Sequence, residues 1–301
     1  MKAVVLIAYG GVENLEVREL PDPTPGPGEI AVRMAGASIN PVDWKVRSGA
    51  LKAYMPLALP AVLGRDASGE VVALGGGVTA FKVGAHVLGR VNGGYAELVV
   101  GATGDFAAVP AQLDLTDAGA LPLVLLTGAQ LVEEAVNPKR GDSVLVMGAA
   151  GSVGRAAVFA AKARGARVTA GVRRAQKQLA AALGADAIVA LDDDTEVSRL
   201  PMLDSIADTV GGDTTRRLLD RVRPGGTIGS VVGEPPGARE RGLVVRTMTT
   251  HSDSKRLAEL AAAVATGALV IPIARRFPLV EAREAQRMAE RGAAGKVLLT
   301  G

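Results

Sequence analysis

The first part of the chain, up to about residue 109, alternates short apolar runs with glycine and proline. Apolar positions in these runs either alternate with polar ones or form unbroken stretches, which are the patterns of half-buried and fully buried β-strands. The strands predicted in this way cover residues 4–8, 15–18, 29–37, 69–74, 86–90 and 96–100. The pattern predicts a β-rich, barrel-like region, with the proline-rich segment 21–28 as a rigid loop inside it.

After Pro110 the spacing of the apolar positions changes, and strand and helix patterns alternate. Strands are predicted over residues 143–147, 167–172, 187–191, 205–208 and 227–232, and helices over 121–136, 155–163, 176–183 and 214–222, with Gly165, Gly184 and Gly225–Gly226 at helix ends. Such alternation is typical of a parallel sheet with helices on both faces. Beyond about residue 265, short strands at 269–274 and 296–299 flank a helix over 281–291, and we expect this tail to return to the first domain.

A glycine-rich turn follows the apolar run 144–147 and precedes an alanine-rich helix. The usual dinucleotide fingerprint is Gly-x-Gly-x-x-Gly, and here its first glycine is Ala149, with Gly148 one residue earlier. A helix N-terminus offers N–H groups and a positive dipole end to a pyrophosphate. The residues predicted to bind the cofactor here are Gly148, Ala150, Gly151, Ser152, Val153 and Gly154. The alternative is a plain strand-turn-helix unit packed through small residues.

The end of the next predicted strand carries Arg173, Arg174 and Lys177. An NAD enzyme places an acidic residue about here, to bind the ribose 2′-hydroxyl. Guanidinium groups instead bind a 2′-phosphate through charge-assisted hydrogen bonds. The sequence therefore predicts NADP(H) rather than NAD(H), with a solvated basic helix start as the alternative.

Size and composition narrow the remaining classes of function. A chain of 301 residues favours two domains, and 48% hydrophobic with 22% charged residues is a globular composition. No apolar window is long enough to span a membrane, and we interpret residues 1–10 as a first strand rather than a signal sequence. The lack of cysteine excludes disulfides, thiolate nucleophiles and cysteine-bound metals, and favours a cytoplasmic protein. A net charge of +3 with 3% aromatic residues gives no support for nucleic-acid binding.

Several ordered motifs resemble the medium-chain dehydrogenase/reductase superfamily, and within it the zinc-free quinone oxidoreductase (zeta-crystallin-like) and enoyl reductase branch. The motifs lie at residues 40–45, 63–72, 93–97, 149–154, 208–212 and 295–299, and the resemblance spans nearly the whole chain. It implies an α/β protein in which a GroES-like β-barrel catalytic domain (1–121 and 265–301) is joined to a Rossmann doubly wound parallel-sheet cofactor domain (122–264). The active site is then expected in the cleft between them.

The resemblance also shows a departure that affects the chemistry. Zinc-dependent members carry a cysteine in the early loop and Gly-His-Glu after a later strand turn. In this chain the first region, residues 40–44, reads Asn-Pro-Val-Asp-Trp and contains no cysteine. The second region reads Gly64, Arg65 and Asp66. Without a metal to lower the pKa of an alcohol, alcohol oxidation is disfavoured. Hydride transfer to a quinone, or to an alkene conjugated with a carbonyl, delocalises the charge onto oxygen.

That oxygen needs a proton or hydrogen-bond donor, and Tyr54 is the candidate, the alternative being a loop aromatic that packs its ring. Asn40, by resemblance, contacts the nicotinamide or ribose and takes part in catalysis, and Thr127 resembles a hydroxyl that meets the cofactor. A turn asparagine and a helical threonine bonding its own backbone are the alternatives. Arg65 either offers its charge to the substrate carbonyl or pairs with Asp66.

Other cofactor contacts follow from the resemblance at Val210, Val232 and Lys296. We expect Asp43 to hold Lys45 or the loop backbone. We assign no chemistry to residues 192–194, which resemble a solvated acidic turn, or to His86 and His251, which we interpret as structural.

The sequence thus predicts an NADPH-dependent, zinc-independent oxidoreductase that reduces quinones or α,β-unsaturated carbonyl compounds. Two alternatives stay open: a biosynthetic enoyl reductase acting on a carrier-bound or polycyclic intermediate, and a non-catalytic NADPH-binding protein. By analogy the protein is expected to be a homodimer, with the strand at 242–248 as an edge partner.

Overall fold

The computed structural model describes all 301 residues and divides the chain into two compact units. The first unit comprises Met1–Leu123 and Ser252–Gly301, and the second comprises Val124–His251.

The strands are β1 Lys2–Leu6, β2 Leu15–Glu19, β3 Glu29–Ser38, β4 Ala61–Val62, β5 Asp66–Leu74, β6 His86–Arg90, β7 Leu98–Ala102, β8 Phe106–Ala108, β9 Ser143–Met147, β10 Arg167–Val172, β11 Ala187–Ala190, β12 Leu203–Asp208, β13 Val222–Ser230, β14 Val244–Thr247, β15 Ile273–Pro278 and β16 Lys296–Thr300. The α-helices are α1 Pro41–Arg47, α2 Leu115–Ala118, α3 Pro122–Gln130, α4 Ser152–Ala163, α5 Lys177–Ala180, α6 Asp194–Ser198, α7 Gly212–Arg216, α8 Ser254–Ala265 and α9 Ala282–Glu290. A π-helix at Leu131–Val136 continues α3, and 3₁₀ turns lie at Val12–Asn14, Thr103–Asp105, Arg174–Gln176, Ala181–Leu183, Leu219–Arg221, Arg239–Arg241 and Leu279–Glu281.

The first unit is built from two sheets. A three-stranded sheet has the order β2-β1-β4, and a seven-stranded sheet runs β15-β16-β3-β5-β6-β8, with β7 also paired to β3. The C-terminal strand β16 lies antiparallel to β3, with Leu298 opposite Ser38. Inward-facing side chains of these strands and of the loops between them form the main core of the unit, which includes Tyr95 and Phe106, both at most 1% exposed.

The second unit is a six-stranded parallel sheet of order β11-β10-β9-β12-β13-β14. The apolar run of β9 is fully buried at its centre because a parallel sheet is covered on both faces. The strand order reverses between β9 and β12, and ligands of open α/β sheets bind at the carboxyl ends of the strands at such a switch point. The predicted fold class, a β-rich unit with a doubly wound parallel sheet, is confirmed.

Two local predictions in the second unit are wrong. The helix expected over 214–222 ends at Arg216, and Gly225 and Gly226 lie inside β13 rather than at a helix end. Glycine pairs often end helices, but here the β12–β13 register shifts between Leu203 and Ser205, so the glycines lie beside an irregularity in the ladder.

Helix α8 was not predicted from the sequence. Its N-terminus is capped by Asp253, whose carboxylate accepts a hydrogen bond from the Arg256 backbone N–H at 2.8 Å. The sequence-based domain boundary assigns residues 252–264 to the cofactor domain, whereas the compact units place them in the first unit, where α8 packs near β8. The exact boundaries stay a prediction. None of the helices combines the length and apolar character needed to cross a bilayer.

Candidate functional site

The glycine-rich turn lies between β9 and α4, beside the switch point of the parallel sheet. Gly148 has a φ of +68°, and a Cβ there would lie 2.5 Å from Oγ1 of Thr209. The left-handed position is therefore residue 148, which explains why Ala149 can replace the usual first glycine. Ala150 and Gly151 complete the turn.

Helix α4 packs directly against this turn through Gly154. A Cβ on Gly154 would clash with the carbonyl of Gly148 and lie 2.7 Å from Cα of Ala149. Ser152 and Val153 form the first turn of the helix, and Gly151, at its N-cap, provides no side-chain cap. The first N–H groups of α4 are therefore not capped by a side chain, and the small residues of the turn leave room beside them. Helix N-termini of this kind bind pyrophosphate groups in dinucleotide-binding proteins.

The ends of β12 and β13 lie at the same carboxyl edge. The Asp208 carboxylate accepts hydrogen bonds from the N–H groups of Val210 and Gly211 at 2.8 and 2.9 Å, and Thr209 donates to the carbonyl of Met147 at 2.7 Å. Val210 and Val232 remain 46% and 39% exposed, an apolar surface next to the glycine turn. The motif at 208–212 thus holds a turn in place and presents a valine beside it.

The three cations predicted to bind a 2′-phosphate differ in their surroundings. Arg174 forms an ion pair with Asp193, and Nζ of Lys177 lies 2.8 Å from Glu196. The Lys177 ammonium lowers the pKa of the Glu196 carboxyl below its ordinary value. Arg173, directly at the end of β10, is exposed and has no ion-pair partner. The structure therefore leaves Arg173 as the cation most available for a phosphate.

Asn40 lies in a buried polar network of the first unit, which we call the Asn40 network and which comprises Ser38, Asn40, Asp43, Asp66, Tyr95 and Lys296. Lys296 donates from Nζ to Oδ1 of Asn40 at 2.6 Å, and Asn40 donates from Nδ2 to Asp66 at 2.8 Å. Asp66 also accepts from Ser38 and, at 2.7 Å, from the N–H of Leu123. The amide of Asn40 is therefore held in one orientation.

Asp43 completes this network and does not pair with Lys45 as one expectation had it. Its carboxylate accepts from the Asn40 N–H at 2.8 Å and from the Tyr95 hydroxyl at 2.7 Å, so the alternative expectation, that Asp43 holds the loop backbone, is confirmed. Burial raises the pKa of Asp43 from 3.8 to about 6, against the lowering effect of the Tyr95 hydrogen bond. Burial also raises the pKa of Asp66 and lowers that of Lys296, with the charges of the two groups opposing both shifts.

The three tyrosines occupy different environments. Tyr95 is buried and donates to Asp43, and the Tyr9 hydroxyl accepts from the N–H of Leu57 at 2.9 Å. Tyr54, the candidate proton donor, is 84% exposed in a turn after α1, and its hydroxyl makes no hydrogen bond within the chain. The Tyr54 ring is not packed in a core, so its hydroxyl is available to a ligand.

The Thr127 side chain contacts a residue outside its own helix. Its hydroxyl lies 2.6 Å from that of Thr250, and Gln130, one turn later, donates to the carbonyl of His251 at 2.9 Å. His251 also contacts Glu134 at 2.9 Å. Sequence reasoning missed Thr250, Gln130 and Glu134, because these partners are about 120 residues apart and no local motif marks them.

Arg65 does not pair with Asp66. Its guanidinium donates to Asn92, while the two oxygens of Asp66 accept hydrogen bonds from Asn40 and from the N–H of Leu123. No group of three or more His, Asp or Glu side chains converges as a metal site would require. Within the acidic run, Asp193 caps α6 and Asp194 pairs with Arg217, so these carboxylates are structural.

Two family models match the chain. The alcohol dehydrogenase GroES-like domain matches residues 26–113, and the zinc-binding dehydrogenase model matches residues 183–299. A quinone oxidoreductase from Pseudomonas aeruginosa is 33% identical over 324 aligned positions, covering 99% of both chains. The chain belongs to the medium-chain dehydrogenase/reductase superfamily, among quinone oxidoreductase relatives.

Other relatives agree with this membership. A chloroplast envelope quinone oxidoreductase homolog from Arabidopsis thaliana is 33% identical over 199 residues, but the match spans only 60% of that protein and 63% of this chain. The quinone oxidoreductase of Coxiella burnetii superposes with a TM-score of 0.89 at 28% identity, over 100% of this chain and 99% of that one. A mycobacterial protein solved in complex with NADPH gives a TM-score of 0.87 at 30% identity, and an NAD-dependent alcohol dehydrogenase gives 0.88 at 32%, each over the whole of both chains.

The close packing at Gly154 generates the first prediction. Gly154→Ala should lower the free energy of unfolding by about 1–3 kcal/mol, because the new Cβ has no space between the helix and the turn. Gly151→Ala is the matched control, since its Cβ would lie 3.3 Å from the Gly148 carbonyl. Urea unfolding of both variants measures the difference, and equal stability would contradict the close approach.

The buried carboxylate of Asp43 generates the second. Because the folded-state pKa is raised, the folded protein binds the proton more tightly than the unfolded chain, and stability falls as pH rises from about 4 through 6. The charged form costs about 3 kcal/mol above that range. Asp43→Asn keeps a hydrogen-bond acceptor but removes the titration, so its melting temperature should gain on the wild type by roughly 5 °C or more between pH 4.5 and 7.5.

Thermal melts of the wild type and Asp43→Asn across this pH range test the idea. Asp105→Asn, at a partly exposed position before β8, is the control and should follow the wild type. Parallel pH profiles for all three proteins would show that Asp43 is charged at no cost.

Proposed function

We propose that this oxidoreductase uses NADPH, without a metal ion, to reduce quinones or α,β-unsaturated carbonyl compounds. The observation that carries the proposal is the hydrogen bonding and charge of three residues, Asn40, Arg65 and Asp66, which lie in the two regions where zinc-dependent relatives carry metal ligands. Asp66 is committed on both oxygens, Asn40 is held by Lys296, and Arg65 is a cation. Such a donor set suits a hydrogen-bonded acceptor and not a divalent metal.

The glycine turn fits a dinucleotide. The uncapped start of α4 supplies N–H groups for the pyrophosphate, and Val210 and Val232 supply apolar contacts at the same edge of the sheet. Thr127 and Lys296 stay candidate cofactor contacts, although both side chains are now occupied by Thr250 and Asn40. When bound, NADPH supplies a hydride.

The residues of this chain would then have distinct roles. Asn40, buried and fixed by Lys296 and Asp66, would act as a positioning residue that keeps the polar network rigid, and the exposed Tyr54 hydroxyl would donate a proton to the acceptor oxygen. A conjugated acceptor suits this site, because its developing negative charge needs only a hydrogen-bond donor.

The membership of the chain among quinone oxidoreductase relatives and its similarity to an NADPH complex support the proposal. The similarity to an NAD-dependent alcohol dehydrogenase makes the cofactor the first point to test.

The homodimer stays a prediction. Strand β14 is the last strand of the parallel sheet, and Val244 on it is 40% exposed, which suits an edge-to-edge partner.

The third prediction concerns the acceptor. When the protein is mixed with NADPH and an acceptor, the absorbance of NADPH should fall as it is oxidised. The fall should be fast with a naphthoquinone or a short enone and slower with an enoyl thioester. A clear preference for the thioester would favour the biosynthetic reductase, and tight NADPH binding without any oxidation would favour a binding protein.

Tyr54→Phe should lower kcat by about 10²-fold or more if its proton transfer limits the rate, with NADPH affinity unchanged.

The fourth prediction concerns the cofactor. Arg173→Ala should weaken NADPH binding by about 10- to 100-fold and NADH binding little, because only NADPH carries the 2′-phosphate. Arg174→Ala should have a smaller effect, since Arg174 already pairs with Asp193. Fluorescence titration of both nucleotides measures this, with the exposed Arg199→Ala as control. Equal losses for NADPH and NADH at Arg173 would refute the assignment.

A further inference from the structure

Arg65 and Arg90 of the first unit are partly buried, and neither has a carboxylate partner. Arg65 donates to the amide oxygen of Asn92, and Nη1 of Arg90 lies 3.4 Å from the Ser252 hydroxyl. The Nε group of Arg90 is buried and has no hydrogen-bond partner. A buried N–H of a charged group without an acceptor is costly, so the protein leaves part of the hydrogen-bonding capacity of Arg90 unused.

Another buried arginine of the same unit shows the contrast. Arg47 is 4% exposed, and its guanidinium contacts Gln286 at 2.7 Å and Glu290 at 3.1 Å. Its charge and its donors are therefore satisfied within the protein. The fold provides no such partner for Arg65 or Arg90.

Arg65 directly precedes β5 and Arg90 ends β6, so the backbones of the two arginines are neighbours where these paired strands meet. Arg90 is opposite Asp66 in the β5–β6 ladder, and the carbonyl of Arg65 accepts from the N–H of Val91 at 3.0 Å. Burial lowers the pKa of Arg65, Asp43 opposes the shift, and the positive charge of Arg90 lowers it further. The two cations therefore repel each other, and an oxyanion bound by both would relieve that repulsion.

This pair of cations lies beside the Asn40 network. Asp43 is close enough to influence the charge of Arg65, and the same carboxylate holds the backbone N–H of Asn40. Asp43 itself is committed to Asn40 and Tyr95, so it does not form an ion pair with Arg65. Arg65 and Arg90 are both partly exposed, and Asn92 is exposed, so a ligand can reach them.

We propose that Arg65 and Arg90 bind an oxyanion carried by the hydride acceptor, a carboxylate or a phosphate. This proposal rests on the proposed function and narrows it: the preferred acceptors are conjugated compounds with a negatively charged group. A neutral carbonyl needs one hydrogen-bond donor, whereas two guanidinium groups match the two or more oxygens of an anion.

The test compares charged and neutral acceptors with the same reacting bond. One pair is 4-oxopent-2-enoate and its methyl ester, which tests a carboxylate. The other is crotonyl-coenzyme A and crotonyl-N-acetylcysteamine, which tests a phosphate. In each pair, the ratio of kcat/KM between variant and wild type cancels the intrinsic reactivity of the compound.

Arg65→Gln and Arg90→Gln should each lower kcat/KM for the charged member by about 10- to 100-fold, mainly through KM, and for the neutral member by less than about threefold. Arg90→Lys should keep part of the effect because it keeps the charge. Arg33→Gln, at an exposed position of β3, removes one charge elsewhere and should change neither. Equal losses on charged and neutral members, or no loss in either pair, would overturn the proposal.

Binding of 4-oxopentanoate, measured by calorimetry on the whole protein, separates the two proposals. This saturated compound has no conjugated bond and binds without turnover. If no acceptor oxidises NADPH but 4-oxopentanoate binds and the arginine variants lose it, the proposed function fails and the anion site stands. If neutral acceptors are reduced as well as charged ones and 4-oxopentanoate does not bind, the anion site alone fails. Melting temperatures of Arg65→Gln and Arg90→Gln should match or exceed that of the wild type, since each removes a repelling charge.

Discussion

The first unit depends on one buried carboxylate, that of Asp66, which joins segments far apart in the chain. It accepts hydrogen bonds from Ser38 at the end of β3, from Asn40 in the following loop and from the N–H of Leu123. Through Asn40 it is connected to Lys296 in the last strand. A buried charge is tolerated only when it is paired and hydrogen-bonded, so these segments are constrained to one arrangement.

This constraint has a functional side. The side chains that fix Asn40 also occupy the atoms that a metal ion would need, because Asp66 has no free oxygen and Asn40 accepts from an ammonium. A network whose members are all hydrogen-bonded within the protein is rigid. The cations Arg65 and Arg90 lie next to this network without a carboxylate partner, and part of the hydrogen-bonding capacity of Arg90 is unused within the protein.

The second unit depends on a different constraint, which is the close approach of a helix N-terminus to the end of a strand, an arrangement that suits phosphate groups. The left-handed turn at Gly148 and the contact at Gly154 bring the start of α4 against the end of β9. Neither position tolerates a side chain, whereas Ala149 is buried in the turn without strain. The fingerprint can therefore lose its first glycine as long as a neighbouring residue supplies the positive φ. Arg174 and Lys177 form ion pairs within the protein, whereas Arg173 does not. Basic residues that are clustered in sequence at a strand end therefore differ in their availability to a ligand.

The sequence by itself determined the fold class, the glycine turn and the family, because each is written in local periodicity or in contiguous motifs. The alternation of strands and helices after Pro110 is visible in single windows, and so is the apolar run of β9. Tertiary structure alone decided which polar groups meet. The partners Lys296 and Asn40 are 256 residues apart, and Thr127 and Thr250 are 123 apart. Helix α8 and the glycines of β13 were misjudged for the same reason: local propensity is a weak signal, and long-range packing and strand pairing decide its outcome.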